Sequence, residues 1–109
     1  MSSVKEDLIK ARAKIEKGWC QGVAARDING ESVHATSSDA VQFCILGALG
    51  SVRGRISVEG TSWLYHAIHN GAPKLGGFTI SAYNDAPWRT QEEVLAIFDK
   101  AIALAEEEE

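Results

Sequence analysis

Two cysteines in 109 residues are too few for a disulfide-stapled scaffold. No apolar run approaches the length of a membrane span. The N-terminal Met1-Ser2-Ser3-Val4-Lys5-Glu6-Asp7 lacks the apolar stretch of a secretory leader. An excess of positive charge is also missing: 11 Lys and Arg stand against 15 Asp and Glu, a net charge of -4. Four of the acids form the run Glu106 to Glu109, and without it acids and bases are equal in number. A neutral body has no electrostatic drive toward a phosphate backbone, which argues against general nucleic-acid binding. There is no Walker-type P-loop and no Gly-x-Gly-x-x-Gly between a strand and a helix. The expectation is a cytoplasmic protein with reduced thiols, no membrane segment and no cofactor, although a single Cys20–Cys44 bridge is compatible with the sequence.

What is present suffices for one domain over residues 1–109. Hydrophobic residues make up 45% and charged residues 24%, enough for a core without staples. Ser3-Val4-Lys5-Glu6 is a capping box. Val4, Leu8, Ala11 and Ile15 then recur at helical spacing, and Gly18 suits a left-handed stop, so a first amphipathic helix is expected over 4–17. Val23 to His34 reads as a short hairpin closed by a two-residue Asn29-Gly30 turn. Ser37, Ser38 and Asp39 offer N-caps for a second helix over 39–52, apolar nearly all round and therefore central. Cys44, Gly47, Ala48 and Ser51 give that helix a narrow side. Gly47 there costs about 1 kcal/mol relative to Ala, so something must compensate.

A third helix over 58–70 carries Trp63, Leu64, Ala67 and Ile68 and ends near Asn70-Gly71. Residues 72–77 read as loop and 78–83 alternate like an extended segment. Asn84-Asp85-Ala86-Pro87 is turn chemistry. Thr90-Gln91-Glu92-Glu93 is a second capping box opening a last helix, whose acidic tail sits unfavourably at the negative end of its dipole. The expected fold is mainly α, with about four helices around a buried central one and a short β-hairpin near residues 23–34. The alternative is an α+β fold in which residues 78–83 add a third strand to the hairpin.

Candidate chemistry is sparse. Cys20, Cys44, His34, His66 and His69 are possible metal ligands, but no standard spacing joins them and no metal site is expected. Cys20 follows Gly18-Trp19 in an accessible loop and would need a lowered pKa and a His base to act as a nucleophile. Cys44, placed mid-helix, reads as inert packing. Arg26, Arg53, Arg55 and Arg89 are dispersed along the chain but could converge on an anion. Arg89 beside the N-cap Thr90 makes a seat for a phosphate or carboxylate, unless it simply pairs with Glu92 or Glu93. Trp19, Trp63, Tyr83 and Trp88 offer stacking surfaces.

Trp19-Cys20-Gln21-Gly22 with Ala25-Arg26-Asp27 and Gly30, then Cys44-Ile45-Leu46-Gly47-Ala48-Leu49, then Asn84 to Val94 through Pro87-Trp88-Arg89-Thr90 together resemble a family of small proteins of unknown function from bacteria and their phages. The resemblance covers about Leu8 to Ala105. It implies that the three segments meet in space and transfers no activity. Trp88 stands where family members are expected to carry Gly. The resulting reading is a small non-catalytic binding module for a small anionic or nucleotide-like ligand or a protein partner. Its site would comprise Trp19, Arg26, Asp27, Cys44, Asn84, Asp85, Trp88 and Arg89. Two alternatives are a thiol-dependent hydrolase or transferase using Cys20 and a His, and a structural protein that forms a homodimer through an amphipathic helix.

Overall fold

The computed structural model describes residues 3–55, 57–69 and 79–107. Five helices and three short strands follow in the order α1 (Val4–Lys17), β1 (Ala25–Arg26), β2 (Ser32–Val33), β3 (Gln42–Phe43), α2 (Ile45–Arg53), α3 (Val58–His69), α4 (Thr79–Asp85) and α5 (Gln91–Glu107). The fold is mainly α with a small sheet.

Both capping boxes form. The Glu6 amide donates to Ser3 Oγ and the Ser3 amide to Glu6 Oε1. Thr90 and Glu93 make the same reciprocal pair at the start of α5. Leu8, Ala11 and Ile15 of α1 and Val94, Phe98, Ala101 and Ala105 of α5 are buried together, as their spacing requires. Helix α1 packs against α5 and α2, and α3 packs against α5. Ile45, Ala48 and Leu49 of α2 complete the core, so the central helix is buried as expected.

Its extent differs from the expected 39–52. Residues 42–43 pair with β1 instead, giving an antiparallel sheet of order β2-β1-β3 in which Ala25 faces both Val33 and Phe43. The third strand of the α+β alternative therefore exists, but residues 42–43 supply it. The Ser37-Ser38-Asp39 cluster closes a turn: the Ser37 amide donates to the His34 carbonyl, the Ala40 amide to the Ser37 carbonyl, and the Asp39 amide to Ser37 Oγ. Backbone pairing of Phe43 takes precedence over the helical stripe, and α2 starts only after Cys44, its N-cap.

Residues 79–85 form a helix, not an extended segment. Ile80 and Asn84 are both buried, and helical spacing puts them on one face. The alternation over 78–83 stops one residue short of Asn84, whose burial four positions after Ile80 is what marks the helical face. The Asn84-Asp85 pair accordingly ends α4 instead of opening a turn. The expected loop over 72–77, the Asn70-Gly71 stop and Phe78 lie outside the described residues, as do Glu108 and Glu109.

Two turns close differently from their sequence signals. Gly18 ends α1 in extended backbone, φ −175°, instead of the left-handed conformation. Glycine is needed there because a Cβ would collide with the Val41 carbonyl. The hairpin turn runs from Asp27 to Gly30, closed by the Gly30 amide on the Asp27 carbonyl, with Gly30 at φ 83°. Asp27 Oδ1 accepts from the amides of Asn29 and Glu31, which fixes this wider turn in place of a two-residue one.

Candidate functional site

The segments around Trp19, Cys44 and Asn84 meet, and Asn84 is the knot. Its side chain is 1% exposed. Oδ1 accepts from the Trp19 indole Nε1 at 2.9 Å and from the Ile45 amide at 3.0 Å. Nδ2 donates to the Cys20 carbonyl at 3.1 Å and to Asp85 Oδ1 at 2.8 Å. An amide has two donors and two acceptor positions, and all are used. The Ile45 amide belongs to the first turn of α2, whose N–H groups have no helical partner. Asn84 therefore satisfies that helix start as well as the Trp19–Cys20 segment.

Gln21 and Asp85 reinforce the join. Gln21 Nε2 donates to the carbonyls of Asn84 and Ala86, both at 2.9 Å, and the Gly22 amide donates to Asp85 Oδ1 at 3.0 Å. On the α2 side, Cys44 Sγ accepts from the Gly47 amide at 3.2 Å, so this thiol is a helix cap and not a mid-helix packing residue. A Cβ on Gly47 would collide with the Ala24 carbonyl, which itself accepts from the Cys44 amide. That close approach offsets the helical penalty of glycine.

The joined segments wall a cleft of about 510 Å³. Its sides come from residues 22–24, the chain after β2, the first two turns of α2 and the end of α4. Gly47 and Gly50 form a smooth floor, and Leu46 and Ala35 add apolar surface. His34, Thr36, Arg55, Ser81 and Asp85 bring the polar side chains. A carboxylate and a guanidinium thus line the same hollow.

Three of the eight residues singled out from sequence line it: Cys44, Asn84 and Asp85. Trp19 and Arg26 stand behind its wall. Arg26 donates from Nη1 to the Gly30 carbonyl and from Nη2 to the Gln21 carbonyl, clamping the chain that carries Gly22. Asp27 is committed to the hairpin turn. Trp88 is 72% exposed and does not line the cleft. Arg89 lies 3.5 Å over the Tyr83 ring, donates to the Tyr83 carbonyl and pairs with Glu93, so its charge is spent on linking α4 to α5. Ser81, Thr36, Gly50 and Arg55 line the cleft as well and are not among the eight. Of these Arg55 alone carried a signal, as an arginine able to join an anion site; the narrow side of α2 carried another for Cys44 and Gly47, as a surface of close approach.

The thiols are not activated. Cys20 is buried, against the expectation of an accessible loop cysteine. Its pKa is raised from 9.0 to about 11, first by burial and then by the adjacent Cys44 thiol. Burial also raises the Cys44 pKa, against the lowering effect of the Gly47 amide. Among the described residues no group of three His, Cys, Asp or Glu side chains is placed to hold a metal ion. No helix among them is long and apolar enough to cross a membrane.

These observations define a small mainly α domain with one interlocked cleft wall. The chain belongs to the family described as "Family of unknown function (DUF6197)", whose model matches residues 1–104. No curated protein and no solved structure matches it.

Proposed function

We propose that this protein is a small non-catalytic binding module. Its ligand is a small molecule with an anionic group for Arg55 and hydrogen-bond donors for Asp85, as a nucleotide-like compound has. The observation that carries the reading is the cleft itself. Its volume, about 510 Å³, lies in the usual range for small-molecule sites. Apolar walls with a few convergent polar groups are the usual composition of such sites. The glycine floor admits a flat group close to the backbone, and the partly free carboxylate of Asp85 supplies orientation. The raised thiol pKa values argue against nucleophilic chemistry at neutral pH, because the thiolate is the reactive form.

A thermal-shift screen of nucleotides and nucleosides tests this. A true ligand at a hundred times its Kd stabilises the fold by about 2.7 kcal/mol. The Arg55→Ala variant is expected to fold normally and to lose most of the shift produced by the phosphorylated compounds. Absence of any shift across the screen, or a shift that Arg55→Ala leaves intact, overturns the proposal.

A further inference from the structure

The two cysteines are neighbours across a backbone ladder. The Phe43 amide donates to the Gly18 carbonyl and the Phe43 carbonyl accepts from the Cys20 amide, both at 3.0 Å. This is a parallel bridge between Trp19 and Phe43, so Cys20 and Cys44 are the next residues on the two chains. Side chains alternate along an extended chain. Phe43 is buried in the core, and Cys20 and Cys44 therefore leave on the opposite side, toward the cleft wall. Paired chains lie about 4.8 Å apart, and one step beyond the bridge the Asn84 side-chain amide sits between the Cys20 carbonyl and the Ile45 amide, so the chains begin to open at the cysteines. A disulfide accepts Cα separations of roughly 4.4–6.8 Å, which leaves room for that opening, and the Cys44 thiol is close enough to act on the Cys20 thiol. The two thiols are not equivalent: Cys44 lines the cleft, whereas Cys20 is buried behind it.

We propose that Cys44 and Cys20 form an oxidisable pair, with Cys44 the thiol that a small disulfide reaches through the cleft and Cys20 the resolving thiol. Cys44 loses its proton to water, and its thiolate attacks one sulfur of the small disulfide. A mixed disulfide forms on Cys44, and the released thiolate takes up a proton. Cys20 then loses its proton and attacks Cys44 Sγ, expelling the second small thiol. Two protein thiols are oxidised to one disulfide, and one small disulfide is reduced to two thiols. The bridge draws Cys44 Sγ away from the Gly47 amide, so oxidation removes the cap of α2. Exchange is slow at neutral pH and gains about tenfold per pH unit while Cys44 remains mostly protonated. None of this depends on what the cleft binds.

The test treats reduced protein with glutathione disulfide at neutral and alkaline pH, followed by intact mass and thiol titration. Wild type is expected to end as a monomer two hydrogens lighter, with both thiols lost and both restored by dithiothreitol. Cys20→Ser is expected to stop at a stable glutathione adduct on Cys44. Cys44→Ser is expected to react at least ten times more slowly than wild type. The wild-type result needs no variant to fold. A wild-type product that keeps a glutathione adduct beside a free Cys20 thiol, a product linked only between molecules, or no reaction at alkaline pH overturns the proposal.

Discussion

At the scale of single residues, Asn84 concentrates the most interactions in the least space. Replacing it by Ala strands the Trp19 indole N–H, the Ile45 amide and the Cys20 carbonyl near the core. An unsatisfied buried polar group costs about 1–3 kcal/mol, and water entry relieves part of this. Asn84→Ala is expected to lower stability by about 3 kcal/mol in urea unfolding, with indole fluorescence of Trp19 shifted; a loss below about 1 kcal/mol contradicts the hub role. Cys20 makes a second prediction. Its pKa is near 9 when unfolded and about 11 when folded. Between those values the unfolded chain has lost a proton that the native state keeps, so stability falls as pH rises. The decline amounts to about 2 kcal/mol by pH 11 and is smaller in Cys20→Ala relative to its own neutral value. The sequence made Asn84, Asp85 and Cys44 visible as members of one cluster. It did not show that Asp27 and Arg26 are consumed by turn and clamp contacts, because those partners are backbone carbonyls and amides supplied by the folded chain; the pairing of Arg89 with Glu93 was readable at four residues' spacing, its stacking on Tyr83 was not.

At the scale of elements, the legible features were those with local causes. The capping boxes at Ser3 and Thr90 were readable because donor and acceptor lie three residues apart. The start of α2 was not, because the competing partner of Phe43 is the distant Gly18–Cys20 segment. Helix α4 was missed for the same kind of reason: its inward polar residue, Asn84, finds its partners more than 35 positions away. Gly47 shows how local and distant terms oppose each other. Alanine gains about 1 kcal/mol of helix propensity over glycine. Against that, its Cβ collides with the Ala24 carbonyl, a backbone atom that cannot rotate aside. Overpacking of this type costs roughly 1–3 kcal/mol, so Gly47→Ala is expected to lower the melting temperature in calorimetry. A raised Tm means that the Ala24 carbonyl moves away from α2 more readily than its bond from the Cys44 amide implies.

At the scale of the whole molecule, α1 is bound to the rest mainly by its apolar stripe, with ion pairs of unequal weight around it. Lys5–Glu106 and Arg12–Asp99 link α1 to α5 near the surface. Exposed pairs of this kind contribute about 0–1 kcal/mol each and weaken in salt. Asp7–Arg53 differs, since the Asp7 side chain is 4% exposed while that of Arg53 is 38% exposed. Arg53 Nε donates to Asp7 Oδ2 at 2.7 Å, tying the first turn of α1 to the last turn of α2. Removing the arginine leaves a carboxylate against the core without this partner, whereas removing both leaves neither charge nor demand. Arg53→Ala is therefore expected to lose about 2 kcal/mol, the usual value of a hydrogen bond to a charged group. The double variant Asp7→Ala/Arg53→Ala is expected to recover part of that loss. The double-mutant cycle in urea decides it. If the two single losses simply add, the burial of Asp7 does not depend on Arg53, and α1 and α2 are held together by apolar contact alone.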